Sequence, residues 1–470
     1  MHDGTSWERT QVPAPVRIVH LGLGAFARAH LLCYTQCANE SGTAEQWGVA
    51  AFTGRSAAAA DALARQDGRY TLLVRSPSGD APTTVDALVA VHDGADEDAW
   101  REYFRRPEVG VVTLTVTEAG YRRSSTGGLD LRDAEVVGDL RRLRAGDRAL
   151  TAPGRLVDGL RARRSAGTGP IAVVSLDNLP ENGLVARRVT LELAAAVDRT
   201  LAGWIEQHVS FVSTMVDRIT PAATEADRAV VRTLTGREDR SPVVTEPFRE
   251  WVLTGEFPAG RPPWEAAGAR FVDDLEPYER RKLWLLNAGH SLLAYAGLAR
   301  GLTTVAEAFA DPTCRAELEQ LWTEAAEVLE LPVDDATEAL RARFANARIE
   351  HRLTQIAADG SAKLPVRIIA VAQARAAAGL PVGRAGAGVV AAWIDHLDPT
   401  AADAGSTRLV ARLRGQGSSS RAALALDTIA PRLARKDVFA RHVAERLAVR
   451  RPVRPTPSSP TRPTQAGARP

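Results

Sequence analysis

The sequence predicts an α/β N-terminal domain with a mostly parallel sheet, joined to a mainly α-helical C-terminal domain. Three observations carry this. Short β-rich runs alternate with helical stretches through the first half, as when crossover helices join parallel strands. The first of those runs leads straight into a glycine-rich turn. Beyond about Leu275 strand signals become sparse, and alanine-, leucine- and arginine-rich stretches take over.

Taken in order, Val16–Leu21 reads as a short buried strand, followed by Gly22-Leu23-Gly24-Ala25-Phe26-Ala27 and a helical stretch through Cys37. Residues 47–52 read as a second strand and 57–64, rich in alanine, as a helix. Residues 111–116 and 170–175 are further β-rich runs. Residues 282–298 have helical length and are largely apolar, with only Gly289 as a breaker. The expected division is a dinucleotide-binding domain over 1–274, a helical substrate and catalytic domain over 275–447, and a disordered tail over 448–470. In the tail, recurrent proline with arginine and serine cannot support a core.

Composition narrows the function classes. A net charge of +2 gives no field that would draw the chain to nucleic acid or to a membrane surface. No apolar run reaches the roughly 18 residues of a spanning helix. The start of the chain lacks the charged and apolar regions of a signal peptide, so cytoplasmic residence is expected. Cys33, Cys37 and Cys314 form no CxxC pair. They read as small buried residues, and no metal is expected.

Gly22 to Ala27 fits GxGxxA between a strand and a helix, the Rossmann-type pattern for a dinucleotide. Gly22 allows the tight turn, Gly24 lets backbone approach a pyrophosphate, and Ala27 keeps helix and strand close. Phe26 belongs to the same turn. The second strand is followed by Phe52-Thr53-Gly54-Arg55-Ser56, without the carboxylate that usually binds the adenine ribose. Arg55 and the Ser56 hydroxyl suit a 2′-phosphate, so the cofactor is NAD or NADP.

Of 59 basic residues only Lys282, Lys363 and Lys436 are lysines. Arginine cannot lose its proton at usable pH and lysine can, so these three positions are conspicuous. On a helix advancing about 100° per residue, with Lys282 at zero, Glu279 lies near roughly 60°, His290 near roughly 80° and Asn287 near roughly 140°. Four polar side chains thus share one arc of a largely apolar helix, where they need each other or a ligand. A partly buried lysine has a lowered pKa and suits removal of a hydroxyl proton as hydride leaves carbon. The carboxamide of Asn287 can stabilise an oxyanion. So can that of Asn178, in a loop that follows a predicted strand.

Several segments together resemble the mannitol dehydrogenase family of polyol-specific long-chain dehydrogenases, which includes mannitol 2-dehydrogenase and fructuronate reductase. They are the run from Ile18 to His30, Thr115-Val116-Thr117-Glu118-Ala119-Gly120-Tyr121, Asp177-Asn178-Leu179-Pro180-Glu181-Asn182-Gly183, Met215-Val216-Asp217-Arg218-Ile219-Thr220-Pro221, Glu246-Pro247-Phe248, the stretch from Lys282 to His290, and Asp359-Gly360-Ser361-Ala362-Lys363-Leu364-Pro365. The resemblance implies that Lys282 is the general acid/base, that Asn178 and Asn287 hold the oxyanion, and that His290 orients the substrate. It implies a proton route through Glu118 and Glu279, and substrate contacts from Asp217 and Lys363. It also implies a metal-independent reaction on a hexitol or aldonate and its ketose, with the site between the two domains. Leu176 stands where relatives often have cysteine, and Asn287-Ala288-Gly289-His290 where they have Asn-Gly-Ser-His. Gln355 replaces an arginine typical of mannitol 2-dehydrogenases and points towards fructuronate reductases.

The alternatives are a mannitol-1-phosphate 5-dehydrogenase activity and a non-catalytic nucleotide-binding sensor. Tyr278 and Lys282 also form YxxxK, the pair of short-chain dehydrogenases, although they lie too far from the glycine turn for that family. Arg343, Arg352 and Arg367 could meet an anionic end of the substrate. The sequence does not specify an oligomeric state.

Overall fold

The computed structural model describes residues 7, 9, 11–42, 45–54, 56–397, 407–431 and 437–449; Arg55, Lys436 and the part of the expected tail beyond Val449 lie outside these. The chain groups into two compact units, Met1–Lys282 with Val333–Glu350, and Leu283–Pro332 with His351–Pro470. Among the described residues no helix is long and apolar enough to cross a membrane.

The first unit contains strands β1 (Val16–Leu21), β2 (Gly48–Phe52), β3 (Tyr70–Ser76), β4 (Gly79–Val85), β5 (Leu88–His92), β6 (Val111–Leu114), β7 (Ile171–Ser175), β8 (Val209–Asp217), β9 (Val243–Thr245), β10 (Glu250–Thr254) and β11 (Arg270–Phe271). Eight form one sheet in the order β11-β10-β8-β7-β6-β1-β2-β5, and β4-β3-β9 form a second. Neighbours in the large sheet are parallel except β10 with β8.

Successive residues of the central strands bury on opposite faces. Val19, Leu21, Ala50, Phe52, Val112, Leu114 and Val173 enter one core. Ile18, Val49, Ala51, Val111, Ala172 and Val174 enter the other. Both faces are covered, which is why these strands read as continuous apolar runs and not as alternating ones.

Two expected elements end early for identifiable reasons. The run 111–116 is a strand only to Leu114, because the Asp177 carboxylate takes the N–H groups of Val116 (2.9 Å) and Thr117 (2.8 Å). The helix expected through Cys37 is broken at His30 into Ala25–Ala29 and Leu31–Glu40. The buried His30 ring lies within hydrogen-bonding distance of Glu250 O, 3.2 Å from Nε2, and packs among Phe26, Tyr34 and Trp251. Cys33 and Cys37 share a face of the second helix, and Arg249 Nη1 lies 2.9 and 3.5 Å from their sulfurs.

In the second unit every regular element described is helical. Helix Ala288–Leu298 is buried along nearly all its length. It packs against Val305–Ala310, Pro312–Ala326, Leu353–Ala357 and Ala385–His396. A helix enclosed on all sides must be apolar nearly all round, as this one is except at His290 and Ser291. It is preceded by a π-helical turn, Leu283–Asn287, so the uniform 100° wheel does not hold across residues 282–290.

Helix Asn182–Val197 lies close against β8. A Cβ on Gly183 would sit 2.5 Å from the Val212 carbonyl carbon. Gly183→Ala must therefore push helix from strand; we expect it to cost about 3 kcal/mol or more in chemical denaturation.

Candidate active site

The glycine turn sits at the C-terminal end of β1, where parallel α/β sheets place their ligands. Gly22 has φ +107°, and a Cβ there would lie 2.0 Å from Thr115 O, so only glycine fits. A Cβ on Gly24 would meet only Gly22 O, at 3.7 Å. The space before this backbone is open, as the approach of a pyrophosphate requires. Ala27 is fully buried. The turn therefore fits a dinucleotide. A carboxylate reaches the end of β2 from the neighbouring strand: Thr53 Oγ1 donates to Asp93 Oδ1 at 3.5 Å.

Lys282 closes helix Glu276–Lys282 in the first unit. Its Nζ donates to Asn178 Oδ1 at 2.5 Å and to Val216 O at 2.7 Å. Burial lowers its pKa; Asp217, Glu250 and Glu279 oppose the shift, and Arg343 adds to it. Both hydrogen-bond acceptors are neutral, so what opposes the desolvation comes from the surrounding carboxylates. Because Asn178 turns its oxygen to the lysine, its N–H₂ faces elsewhere and can donate to a ligand. Tyr278, the other half of YxxxK, packs instead against the apolar side chains of Met215, Val252 and Leu275.

Glu279 Oε1 accepts the Glu181 N–H at 3.2 Å. Burial raises its pKa to about 7. Glu118 is exposed, in the short helical turn Glu118–Tyr121.

Arg343 was a candidate for meeting a substrate anion; the structure corrects this. It is buried, with Nη1 and Nη2 donating to the two Asp217 oxygens at 2.6 and 2.9 Å. Its Nε and Nη2 donate to Glu246 Oε2 and Oε1 at 2.9 and 2.7 Å. Burial alone would raise the Asp217 pKa, but Arg343 and Lys282 bring it below the ordinary carboxylate value. Burial prevails at Glu246 and raises it. Arg343 stays charged because the two carboxylates outweigh its own burial.

The loop carrying Asn178 is held by two buried side chains. Asp177 accepts the Val116 and Thr117 N–H groups and, at 2.6 Å, the Tyr121 hydroxyl. Fully buried Asn182 donates to Asp177 O and Thr214 O and accepts from Thr214 N, each at 2.8 Å. Among the described residues, five non-glycine positions have positive φ. Thr117, Glu181 and Asp359 among them lie beside Glu118, Asn178 and Lys363, and strained backbone of this kind collects at working sites.

The second unit carries the remaining candidates. The Asn287 carbonyl accepts from Ser291 Oγ at 3.1 Å and from Arg367 Nη1 at 3.3 Å. His290 is buried, with its ring edge-on to His351 at 4.8 Å between centroids. Lys363 Nζ donates to Ala358 O at 2.6 Å. Glu246, Asn182 and Tyr121 are not among the site residues expected from the sequence, and Arg343 is expected there only as a partner for a substrate anion. The resemblance did include Glu246, Asn182 and Tyr121 in its motifs, and that was the available signal.

A doubly wound sheet with this glycine turn and a desolvated lysine beside a carboxamide defines a nicotinamide-dependent oxidoreductase. The profile of the mannitol dehydrogenase Rossmann domain matches residues 16–266, and that of the mannitol dehydrogenase C-terminal domain matches 274–452. D-mannonate oxidoreductase of Escherichia coli (strain K12) is 38% identical over 375 residues, 77% of this chain and 76% of that protein. Polyol:NADP oxidoreductase of Gluconobacter oxydans (strain 621H) is 37% identical over 363 residues, 74% and 73% of the two chains. The Pseudomonas fluorescens mannitol 2-dehydrogenase, solved in ternary complex with NAD and D-mannitol, superposes with TM-score 0.76 at 30% identity, covering 93% of this chain and 92% of the other. The chain belongs to the mannitol dehydrogenase family.

Glu279 gives a pH prediction. Its pKa is about 7 in the folded state against 4.5 for the ordinary side chain, so the folded state binds the extra proton. The resulting stability is complete below about pH 4.5 and is lost as pH rises through 7. Denaturation at pH 5 and pH 8 should show Glu279→Gln removing about 1–2 kcal/mol of this dependence, a figure reduced for solvent screening.

Proposed function

We propose that this protein interconverts a hexitol or aldonate with its ketose by hydride transfer, with Lys282 as the general acid/base. The observation that carries the reading is the Lys282 amine, desolvated and held by Asn178 Oδ1 and Val216 O. The nicotinamide of NAD or NADP, bound with its pyrophosphate at Gly22, Gly24, Phe26 and Ala27, supplies the hydride acceptor.

In oxidation, neutral Lys282 takes the hydroxyl proton as the carbon loses hydride. In reduction its ammonium returns that proton to the forming alkoxide. The N–H₂ groups of Asn178 and Asn287 stabilise the oxygen while it carries negative charge. His290 orients the substrate, and Asp217 and Lys363 bind its other hydroxyls. Glu279, titrating near neutrality, passes the proton on towards Glu118 and solvent. Catalysis belongs in the cytoplasm, which suits three cysteines without a disulfide.

The test follows reduced-cofactor absorbance with mannitol, mannonate or mannitol 1-phosphate and either NAD or NADP. Turnover of mannitol or mannonate supports the proposal, and turnover of the phosphate alone redirects it to the phosphorylated hexitol. Silence across a broad polyol and aldonate panel favours a sensor. Lys282→Met should lower kcat by about 10²–10⁴, with cofactor binding retained, and Tyr278→Phe should not.

A further inference from the structure

We propose that Arg343 is a positioning residue for this reaction: its guanidinium clamps Asp217 and Glu246 together and so fixes the net charge that Lys282 faces. The inference rests on Lys282 being the acid/base.

The geometry is specific. Arg343, on helix Asp334–Phe344, spends four hydrogen bonds of 2.6–2.9 Å on two carboxylates that come from separate segments of the chain. Its Cζ lies 4.2 Å from the Phe248 ring centroid, so the fork has an aromatic backing. Glu246 is held independently, because its Oε1 accepts the Ile219 N–H at 2.7 Å. Asp217 directly follows Val216, whose carbonyl accepts from Lys282. The clamp and the lysine therefore meet at the C-terminal end of β8.

The charges around Lys282 come from four elements. Asp217 stands at the end of β8, Arg343 on its helix, Glu250 on β10, and Glu279 on the lysine's own helix. Glu250 is already paired with Arg281 at 2.8 Å. His30 also bears on Asp217, but burial brings its pKa to about 3 and keeps it neutral. Two carboxylates clamped by one guanidinium leave a single negative charge. The charges that remain oppose the desolvation of the lysine without cancelling it, so its pKa stays below the ordinary value. Lysine in place of Arg343 would keep the charge but lacks the planar fork needed to hold both carboxylates.

The experiment uses the full chain and follows the pH dependence of kcat/KM for oxidation of the best substrate found. Glu246→Gln is isosteric and removes one negative charge. It should move the acidic limb to lower pH by about one unit. Arg343→Met should move the limb to higher pH by about the same amount. Arg343→Met/Glu246→Gln restores the net charge without the fork, and its limb should return to near the wild-type position, while KM should be raised in both Arg343 variants.

A merely structural arginine would lower activity or yield without ordering the limbs in this way. The inference is overturned if the single and double Arg343 variants share one limb, as they would if the bare carboxylates shared a proton. It is also overturned if Glu246→Gln leaves the limb unmoved, which keeps the test decisive should Arg343→Met fail to fold. Lys282→Met separates the two readings. If it retains wild-type turnover, the acid/base assignment itself falls; if it is inactive while the charge variants do nothing, only the role of Arg343 falls.

Discussion

An amine removed from water must either find acceptors or give up its proton, and the site depends on how this chain resolves that choice at Lys282. The acceptors it meets are a carboxamide oxygen and a peptide carbonyl, both neutral. They orient Nζ without stabilising the ammonium as an adjacent carboxylate would. The charged neighbours set how far desolvation can act, and they arrive from other strands and helices. A lysine in solution would be almost fully protonated at neutral pH. Burial shifts this one towards its neutral form, because the fold controls both its solvent and its partners.

That control needs the ends of β7 and β8 to be stiff, since one presents Asn178 and the other Val216. Parallel strands leave their C-terminal loops without ladder partners, so side chains must satisfy the freed backbone groups. Asp177 and Asn182 do this. Asp177 ends β6 early by taking the N–H groups of Val116 and Thr117, and Asn182 joins its own loop to Thr214 of β8. Buried polar groups that are fully bonded rigidify what they touch, and loosening one would expose several unpaired partners at once. Positive φ at Thr117 and Glu181, on either side of this network, is the local cost of the arrangement.

Much of this was legible in the sequence. The glycine turn was readable because its constraint is local: Gly22 must avoid Thr115 O, and only glycine does. Lys282 was readable because the chain otherwise prefers arginine, and the loop of Asn178 because it follows a strand. Other features had no local signal. The clamp joins Asp217, Glu246 and Arg343 across separations of 97 and 126 residues. Nothing in residues 333–350 announces that they group with the first unit and not with the helices on either side. The π-turn at Leu283–Asn287 escaped notice because a helical wheel assumes a uniform repeat. The wheel put Lys282, Glu279, Asn287 and His290 on one arc of one apolar helix, but Glu279 and Lys282 stand on the polar helix Glu276–Lys282, Asn287 in the π-turn and His290 on Ala288–Leu298, so the angles it assigned do not hold.

The contrast between Lys282 and Arg343 explains why a chain so committed to arginine departs from it here. The Arg343 side chain is buried and Lys282 half-buried, and both act on Asp217. Arg343 makes two bidentate pairs and remains charged whatever the burial, so it contributes a fixed field. Were position 282 also arginine, its charge would never vary. A lysine there has a proton that can leave. The two basic residues are therefore not alternatives at neighbouring positions. The arginine sets the electrostatic level, and the lysine is the group whose protonation changes against it.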